Sequence, residues 1–177
     1  MNMHHIIITG ASRGIGHATA LLYASMGWNI SICSRHCDYQ MTQTQDAITA
    51  AGGQYFSFCG DMGNAADAEE FLAKAVQTFG TPEILVNNAG ISHIGLLQDM
   101  TPMQWDDIIR TNLSSVFYTS RVIIPYFLQE KHGRIINVSS VWGSVGASTE
   151  VAYSTTKGGI NAFTKALAKE LAPSGIP

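Results

Sequence analysis

The stretch SVWGSVGASTEVAYSTTK, residues 140–157, places a serine, a tyrosine and a lysine where they could act together. Tyr153 follows Ser140 by thirteen positions, and Lys157 follows Tyr153 by four. The VAYSTTK segment opens a helical pattern, in which residues four apart share one face, so the phenol and the ammonium point the same way. A free phenol, with a pKa of about 10, is a poor acid–base catalyst at neutral pH unless something favours its anion. A lysine ammonium one helical turn away supplies that bias. A serine hydroxyl arriving from the end of a preceding strand can hydrogen-bond a substrate carbonyl beside the phenol. The set suits proton transfer at a carbonyl or alcohol oxygen. Tyr-x-x-x-Lys also arises by chance on helices without any catalytic role, so the surrounding elements must decide its meaning.

Those elements alternate. Residues 5–9 form a β-branched run that stops at Gly10, followed by TGASRGIG over residues 9–16 and an Ala- and Leu-rich helical pattern. A strand, a glycine turn and a helix in that order form an anion site, because unpaired N–H groups and the positive end of the helix dipole meet there. Gly10, Gly14 and Gly16 keep side chains away from a pyrophosphate, although their spacing is weak evidence by itself. Residues 28–34 read as a second strand, residues 38–52 as a helix closed by Gly52-Gly53, and residues 54–58 as a third strand ending near Gly60-Asp61. Residues 64–79 form an amphipathic helix, and residues 83–86 a fourth strand running into Asn87-Asn88-Ala89-Gly90. Thr101-Pro102 is an N-cap followed by an N1 proline. A long helix is expected over residues 111–131, with Leu113, Val116, Phe117, Ile123, Ile124 and Phe127 facing inward and Pro125 bending or breaking it. Residues 133–138 make the fifth strand and residues 151–171 the last helix, with Ile160, Phe163, Leu167 and Leu171 toward the core.

This alternation specifies an α/β fold, a Rossmann-type doubly wound parallel sheet covered on both faces. Right-handed crossovers bring the glycine loop, Asp61 and Asn88 together at the carboxyl ends of the strands. The residue ending the second strand selects the cofactor: a carboxylate there suits NAD, whereas arginine accommodates the 2′-phosphate of NADP. Ser34-Arg35 stands there, with Arg13 as a second cation and no competing carboxylate in view, which favours NADP(H) over NAD. The other reading of Arg35 is a solvated loop residue.

The 177 residues form one domain's worth of chain, 46% hydrophobic and only 13% charged, enough to bury a real core. Ten basic and thirteen acidic residues give a net charge of −3 without a basic run, which argues against a nucleic-acid partner. No apolar segment reaches membrane-spanning length and the N-terminus lacks the pattern of a signal peptide, so a cytoplasmic protein without a membrane partner is expected. Cys33, Cys37 and Cys59 have no zinc or C-x-x-C spacing and read as buried thiols. His4 and His5 read as surface residues, and no metal site is expected.

TGASRGIG, NNAG, Asn112 within the long helix, Ser140 and YSTTK stand in an order that resembles the short-chain dehydrogenase/reductase family along essentially the whole chain. The resemblance implies that Tyr153 is the acid/base and that Lys157 favours its ionised form and holds the nicotinamide ribose. Ser140 would orient the substrate carbonyl, and Asn112 would support a water-linked proton relay through Lys157. Gly10, Ser12, Arg13, Gly14, Ile15 and Gly16 would surround the pyrophosphate and adjoining ribose. Asp61 and Met62 would flank the adenine, and Asn88 and Gly90 the adenosine ribose. Turn chemistry is the plainer reading of Asn88 and Asp61. The implied reaction is hydride transfer from NADPH to a ketone.

DDIIRTNLSSVF and GRIINVSS further resemble 3-oxoacyl-[acyl-carrier-protein] reductases of fatty acid biosynthesis, which implies a carrier-tethered ketone. WGSVGASTEVAYS resembles reductases linked to modified elongation factor P, and a free small ketone or alcohol stays open as substrate. The family pattern continues past Gly175-Ile176 into a sixth strand, a substrate-covering segment and a seventh strand, whereas this sequence stops at Pro177. The expectation is therefore a truncated reductase lacking the lid and final strands. Its fifth strand would form an open edge, and the family's dimers and tetramers would be disfavoured. A non-catalytic nucleotide-binding remnant is the second class of reading.

Overall fold

The computed structural model describes residues 4–176. Strand β1 (His5–Thr9) leads through the glycine loop into helix α1 (Gly14–Ser25), followed by β2 (Asn29–Ser34), α2 (Tyr39–Ala50), β3 (Gln54–Cys59), α3 (Ala65–Phe79) and β4 (Ile84–Asn87). A 3-10 turn at Leu97–Asp99 precedes α4 (Pro102–Ile109), which runs into a π-helical segment (Arg110–Ser114) and then α5 (Ser115–Glu130). Strand β5 (Arg134–Asn137), a short α6 (Trp142–Val145) and the long α7 (Val151–Leu171) follow.

All strand pairings are parallel, in the order β3-β2-β1-β4-β5. The expected Rossmann-type sheet is therefore present, with β3 and β5 at its edges. Side chains alternate across a strand, so β1 supplies both cores. Ile6 and Ile8 pack with Ile30, Ile32, Ala20 and Ile48 on one face, and Ile7 packs with Leu85, Phe71, Leu72 and Phe127 on the other. The chain crosses from β3 at one edge to β4 on the far side of β1. This reversal opens a crevice at the carboxyl ends of the strands.

Helix starts follow the sequence signals. Asp38, Asn64 and Thr101 cap α2, α3 and α4 through their side chains, and Thr101 with Gln104 completes a capping box. Several expectations need correction. Helix α5 passes through Pro125 unbroken. Both Pro125 and Arg121, whose carbonyl the proline leaves without its usual donor, are exposed, so water can satisfy the freed group. The long helix predicted over residues 111–131 begins as a π turn, which shifts the helical phase. Val116, Ile123 and Phe127 are buried as expected, whereas Phe117 is 48% exposed.

His5 is not on the surface. It is 1% exposed because both faces of β1 are covered. Its Nδ1–H donates to the Gly80 carbonyl at 2.9 Å, and its Nε2 accepts from the Ser31 hydroxyl at 2.8 Å. Only Cys33 is a buried thiol; Cys37 and Cys59 are exposed.

Candidate nucleotide cleft and active site

The carboxyl ends of β1, β2, β3 and β4 enclose a cleft of about 490 Å³, lined by the glycine loop, the 33–36 turn, residues 60–62 and residues 88–91. Ser12, Arg13, Ile15, Arg35, Met62 and Asn88 all line it, together with Gly10 and Gly90.

Its floor is held by backbone contacts too tight for any side chain. A methyl group on Gly10 would lie 2.7 Å from Ala89 Cα, and one on Gly16 would lie 2.6 Å from both the Gly10 oxygen and Asn88 Nδ2. Gly14, at φ +60°, instead has open space above it. Thr9 closes the join between β1 and β4. Its hydroxyl accepts from the Asn88 and Ala89 amides, each at 3.0 Å. The Asn88 side-chain amide donates to the Thr9 and Gly10 carbonyls at 3.0 and 2.9 Å, so Asn88 braces the loop from behind. Unlike α2, α3 and α4, helix α1 has no side-chain cap, and its first turn holds no acidic residue. Its amino end keeps donors for an anion.

At the far end of the cleft the expectation of an uncontested Arg35 fails. Arg35 Nε lies 3.5 Å from the Asp61 carboxylate and its Nη2 lies 3.6 Å from Asp107, while the same nitrogen donates to the Thr111 hydroxyl. Arg110 meets the same two carboxylates at 2.6 and 2.7 Å. Partial burial alone would raise the Asp61 pKa. The Arg110 hydrogen bond, the Gly63 amide and the Arg35 charge nevertheless hold its carboxyl below the usual range. The sequence reading placed Asp61 at the adenine but missed its pairing with Arg35, and missed Asp107 altogether, because the two carboxylates arrive from the end of β3 and from α4, remote in sequence from Arg35.

The catalytic candidates lie on α7, on the π-helical segment and on the turn after β5. Tyr153 and Lys157 share one face of α7, and Lys157 Nζ stands 5.5 Å from the centre of the Tyr153 ring. Lys157 is 4% exposed and donates to the Val138 carbonyl at 2.8 Å. Burial lowers its pKa. An ammonium carries three donors, so one carbonyl does not exhaust it. Asn112, fully buried in the π turn, accepts from the Ile91 amide and donates to the Ile91 carbonyl, each at 2.8 Å, with a further bond to Thr156 at 3.2 Å. A methyl group on Gly90 would fall 3.3 Å from Asn112 Oδ1 and 3.7 Å from Lys157 Nζ. Gly90 also lines the nucleotide cleft, so the two sites are contiguous.

Ser140 ends the turn after β5, where its hydroxyl accepts from the Trp142 amide at 3.2 Å. The adjacent Ser139 hydroxyl donates to the Lys157 carbonyl at 3.0 Å. Gly143 lets α6 settle directly on the α7 backbone. The sequence placed Ser139 at the end of the fifth strand without a role and did not single out Gly143, since what they do comes from contacts with α7 that no local pattern shows. The π turn has no distinct sequence signal either. Among the described residues no cluster of His, Cys, Asp or Glu could hold a metal, and no helix is long and apolar enough to cross a membrane.

The fold and this constellation define an oxidoreductase of the nucleotide-binding Rossmann class. The comparisons give its family: residues 4–177 match the short chain dehydrogenase family, and the chain belongs to it. It is 38% identical over 170 residues to the 3-oxoacyl-[acyl-carrier-protein] reductase FabG of Staphylococcus aureus, covering 96% of this chain and 69% of that one. It is 38% identical over 176 residues to the D-beta-hydroxybutyrate dehydrogenase of Cupriavidus necator, covering 99% of this chain and 68% of that one. A metagenomic short-chain oxidoreductase crystallised in complex with NADP superposes with a TM-score of 0.93 at 32% identity, over 98% of this chain and 77% of that chain.

Proposed function

We propose that this chain is an NADPH-dependent carbonyl reductase acting on a 3-oxoacyl group tethered to acyl carrier protein. The observation that carries this reading is Gly90, which opens the nucleotide cleft directly onto Lys157 and Asn112. The residues present fit such a cofactor: a tight glycine floor, an uncapped α1 and two arginines along the cleft match a dinucleotide with a 2′-phosphate. When bound, the nicotinamide supplies the hydride. Ser12, Arg13 and the α1 amides hold the pyrophosphate, with Ile15 against the loop. Arg35 turns toward the 2′-phosphate, and Asp61 and Met62 bound the adenine end.

Lys157 donates its remaining N–H groups to the ribose and keeps a positive charge beside Tyr153. Ser140 donates to the substrate carbonyl oxygen, and Tyr153 delivers the proton to that oxygen. Asn112 fixes the backbone at Ile91 and thereby the wall between cofactor and substrate. The resemblance to FabG supports the carrier-tethered substrate. The likeness to a hydroxybutyrate dehydrogenase supports a second reading, oxidation of a free 3-hydroxy acid.

The test is NADPH consumption with a 3-oxoacyl thioester, set beside NAD reduction with a free 3-hydroxy acid. Tyr153→Phe should abolish turnover and leave NADPH binding within about twofold, because a phenol oxygen is lost without changing the cleft floor. Equal NADPH consumption by wild type and Tyr153→Phe would refute the assignment.

A further inference from the structure

A second cavity, of about 630 Å³, opens at the amino ends of the strands, across the sheet from the nucleotide cleft. Asn29 starts β2 there, Glu83 immediately precedes β4, and α3 and α5 end beside it at Phe79 and Glu130. Glu83 and Glu130 are its two carboxylates, and among the described residues no lysine or arginine lines it. Glu83 meets His4 through one oxygen, while the His132 ring lies 3.8 Å from the other, beyond hydrogen-bond reach. Glu130 has no ion-pair partner among the described residues. The helix ends add to this negative field. A helix carries partial negative charge at its carbonyl end, which a cation in the last turn offsets. Neither α3 nor α5 has a basic residue in its last turn. Lys131, which caps α5 in the left-handed conformation, does not line the cavity.

Asn29 points to a ligand independently of the charges. It is only 4% exposed, yet its side chain lines the cavity and has no hydrogen-bond partner among the described residues. Its backbone amide is paired, donating to the His4 carbonyl at 2.8 Å, and Ser31 on the same face of β2 is paired with His5. A buried polar group left unpaired is costly, and this carboxamide offers two donors and an acceptor to whatever enters. Phe79 and the buried Pro82 supply apolar surface beside it. We propose that this cavity binds a small aliphatic diamine. One ammonium sits on Glu83 and the other on Glu130 and the carbonyl end of α5. The alkyl chain lies along Phe79 and Pro82, and the Asn29 oxygen accepts from an ammonium N–H. An anion would face two carboxylates and two carbonyl ends, and among the described residues no cluster of His, Cys, Asp or Glu could hold a metal. The volume is that of a small-molecule site. The proposal does not rest on the nucleotide reading, because the cavity and the cleft occupy opposite ends of the strands.

The experiment titrates the purified chain with putrescine, a four-carbon diamine, by calorimetry and follows thermal unfolding in parallel. The corresponding four-carbon diol and sodium chloride at matched ionic strength are the comparators. Expected is saturable binding of one diamine per chain, with a rise in the unfolding midpoint that neither comparator reproduces. Glu130→Gln changes an exposed side chain and should weaken the diamine roughly tenfold or more, the scale of a lost charge-assisted hydrogen bond. Asn29→Ala should weaken it about fivefold, the scale of a neutral one. If the buried Asn29 variant does not fold, Glu130→Gln decides alone. Absence of saturable binding, equal binding of the diol, an equal midpoint rise with sodium chloride, or unweakened binding by Glu130→Gln would each overturn the proposal. The NADPH Kd should be the same with and without the diamine, and a diamine that competes with NADPH would place its site in the cleft and overturn the proposal too.

Discussion

Replacing Gly143 by alanine would set a methyl group 2.6 Å from the Lys157 carbonyl carbon, 2.7 Å from its oxygen and 2.9 Å from the Gly158 nitrogen. All three are backbone atoms of α7, so no side chain can swing away. Carbon contacts prefer about 3.5–4.0 Å, and α6 must therefore withdraw by roughly 0.9–1.4 Å. Overpacking of this kind destabilises by about 1–3 kcal/mol, which for a chain of this size lowers the unfolding midpoint by roughly 2–12 °C. The same withdrawal moves the turn carrying Ser140, and a displacement near 1 Å in a positioned group costs about a hundredfold in rate. The NADPH Kd should move less than turnover, because the glycine floor is untouched and Lys157, the ribose donor of the proposed reading, meets the added methyl only through its backbone. Gly158→Ala is the matched control: its methyl meets only the Gly143 oxygen, at 3.3 Å. A helix-interior alanine also gains about 1 kcal/mol over glycine, so that variant should be neutral or slightly stabilised. Thermal unfolding, cofactor titration and thioester turnover of both variants decide the matter. A Gly143→Ala protein with wild-type midpoint and turnover would refute the claim that α6 docks on α7 to place Ser140.

Arg35→Ala should raise the NADPH Kd about 10- to 100-fold, the scale of a lost charge-assisted hydrogen bond, and leave that of NADH nearly unchanged; equal losses for both cofactors would remove the 2′-phosphate role. Burial depresses the His5 imidazole from 6.5 to about 4, so between these values the unfolded chain holds a proton that the folded chain does not. Its contribution is complete above about pH 6.5 and is lost as pH falls toward 4, amounting to about 3 kcal/mol over that window. Urea unfolding of wild type and His5→Gln at pH 7.5 and pH 5 checks this: the wild type should lose more stability on acidification than the variant, and parallel losses would contradict it.

The sheet, the glycine turn and α7 were legible because each rests on local pattern: a β-branched run ending at Gly10, glycines between strand and helix, and a 3.6-residue period from Val151 to Leu171. The N-cap at Thr101 was legible for the same reason, as were helices beginning near 38 and 64, although the caps Asp38 and Asn64 were not named. His5, Phe117 and the exposed cysteines were misread because burial depends on which elements cover a position, and period alone does not say. The π turn at Arg110–Ser114 hides inside an ordinary helical pattern, yet it is where Asn112 reaches back to the Ile91 backbone. Family motifs named Asn112; only the fold shows that it holds a cleft wall.

The charge arrangement around Arg35 carries this further. An isolated arginine at the end of β2 would present a free cation to a 2′-phosphate, which is how the sequence alone reads. In the structure two arginines and two aspartates alternate there, so the cation is already partnered. In the proposed reading phosphate binding is an exchange: Arg35 would give up contacts of 3.5 and 3.6 Å while Arg110, at 2.6 and 2.7 Å, keeps both carboxylates neutralised. The longer pair is the one that yields, because at 3.5–3.6 Å its partners are in ionic contact without a good hydrogen bond. Arg110 thus makes Arg35 available. Arg110→Ala should leave Asp61 and Asp107 to claim Arg35 and raise the NADPH Kd without touching the phosphate. The double variant with Asp107→Ala should recover part of that loss, and no recovery would mean that Arg110 acts only by supporting the turn.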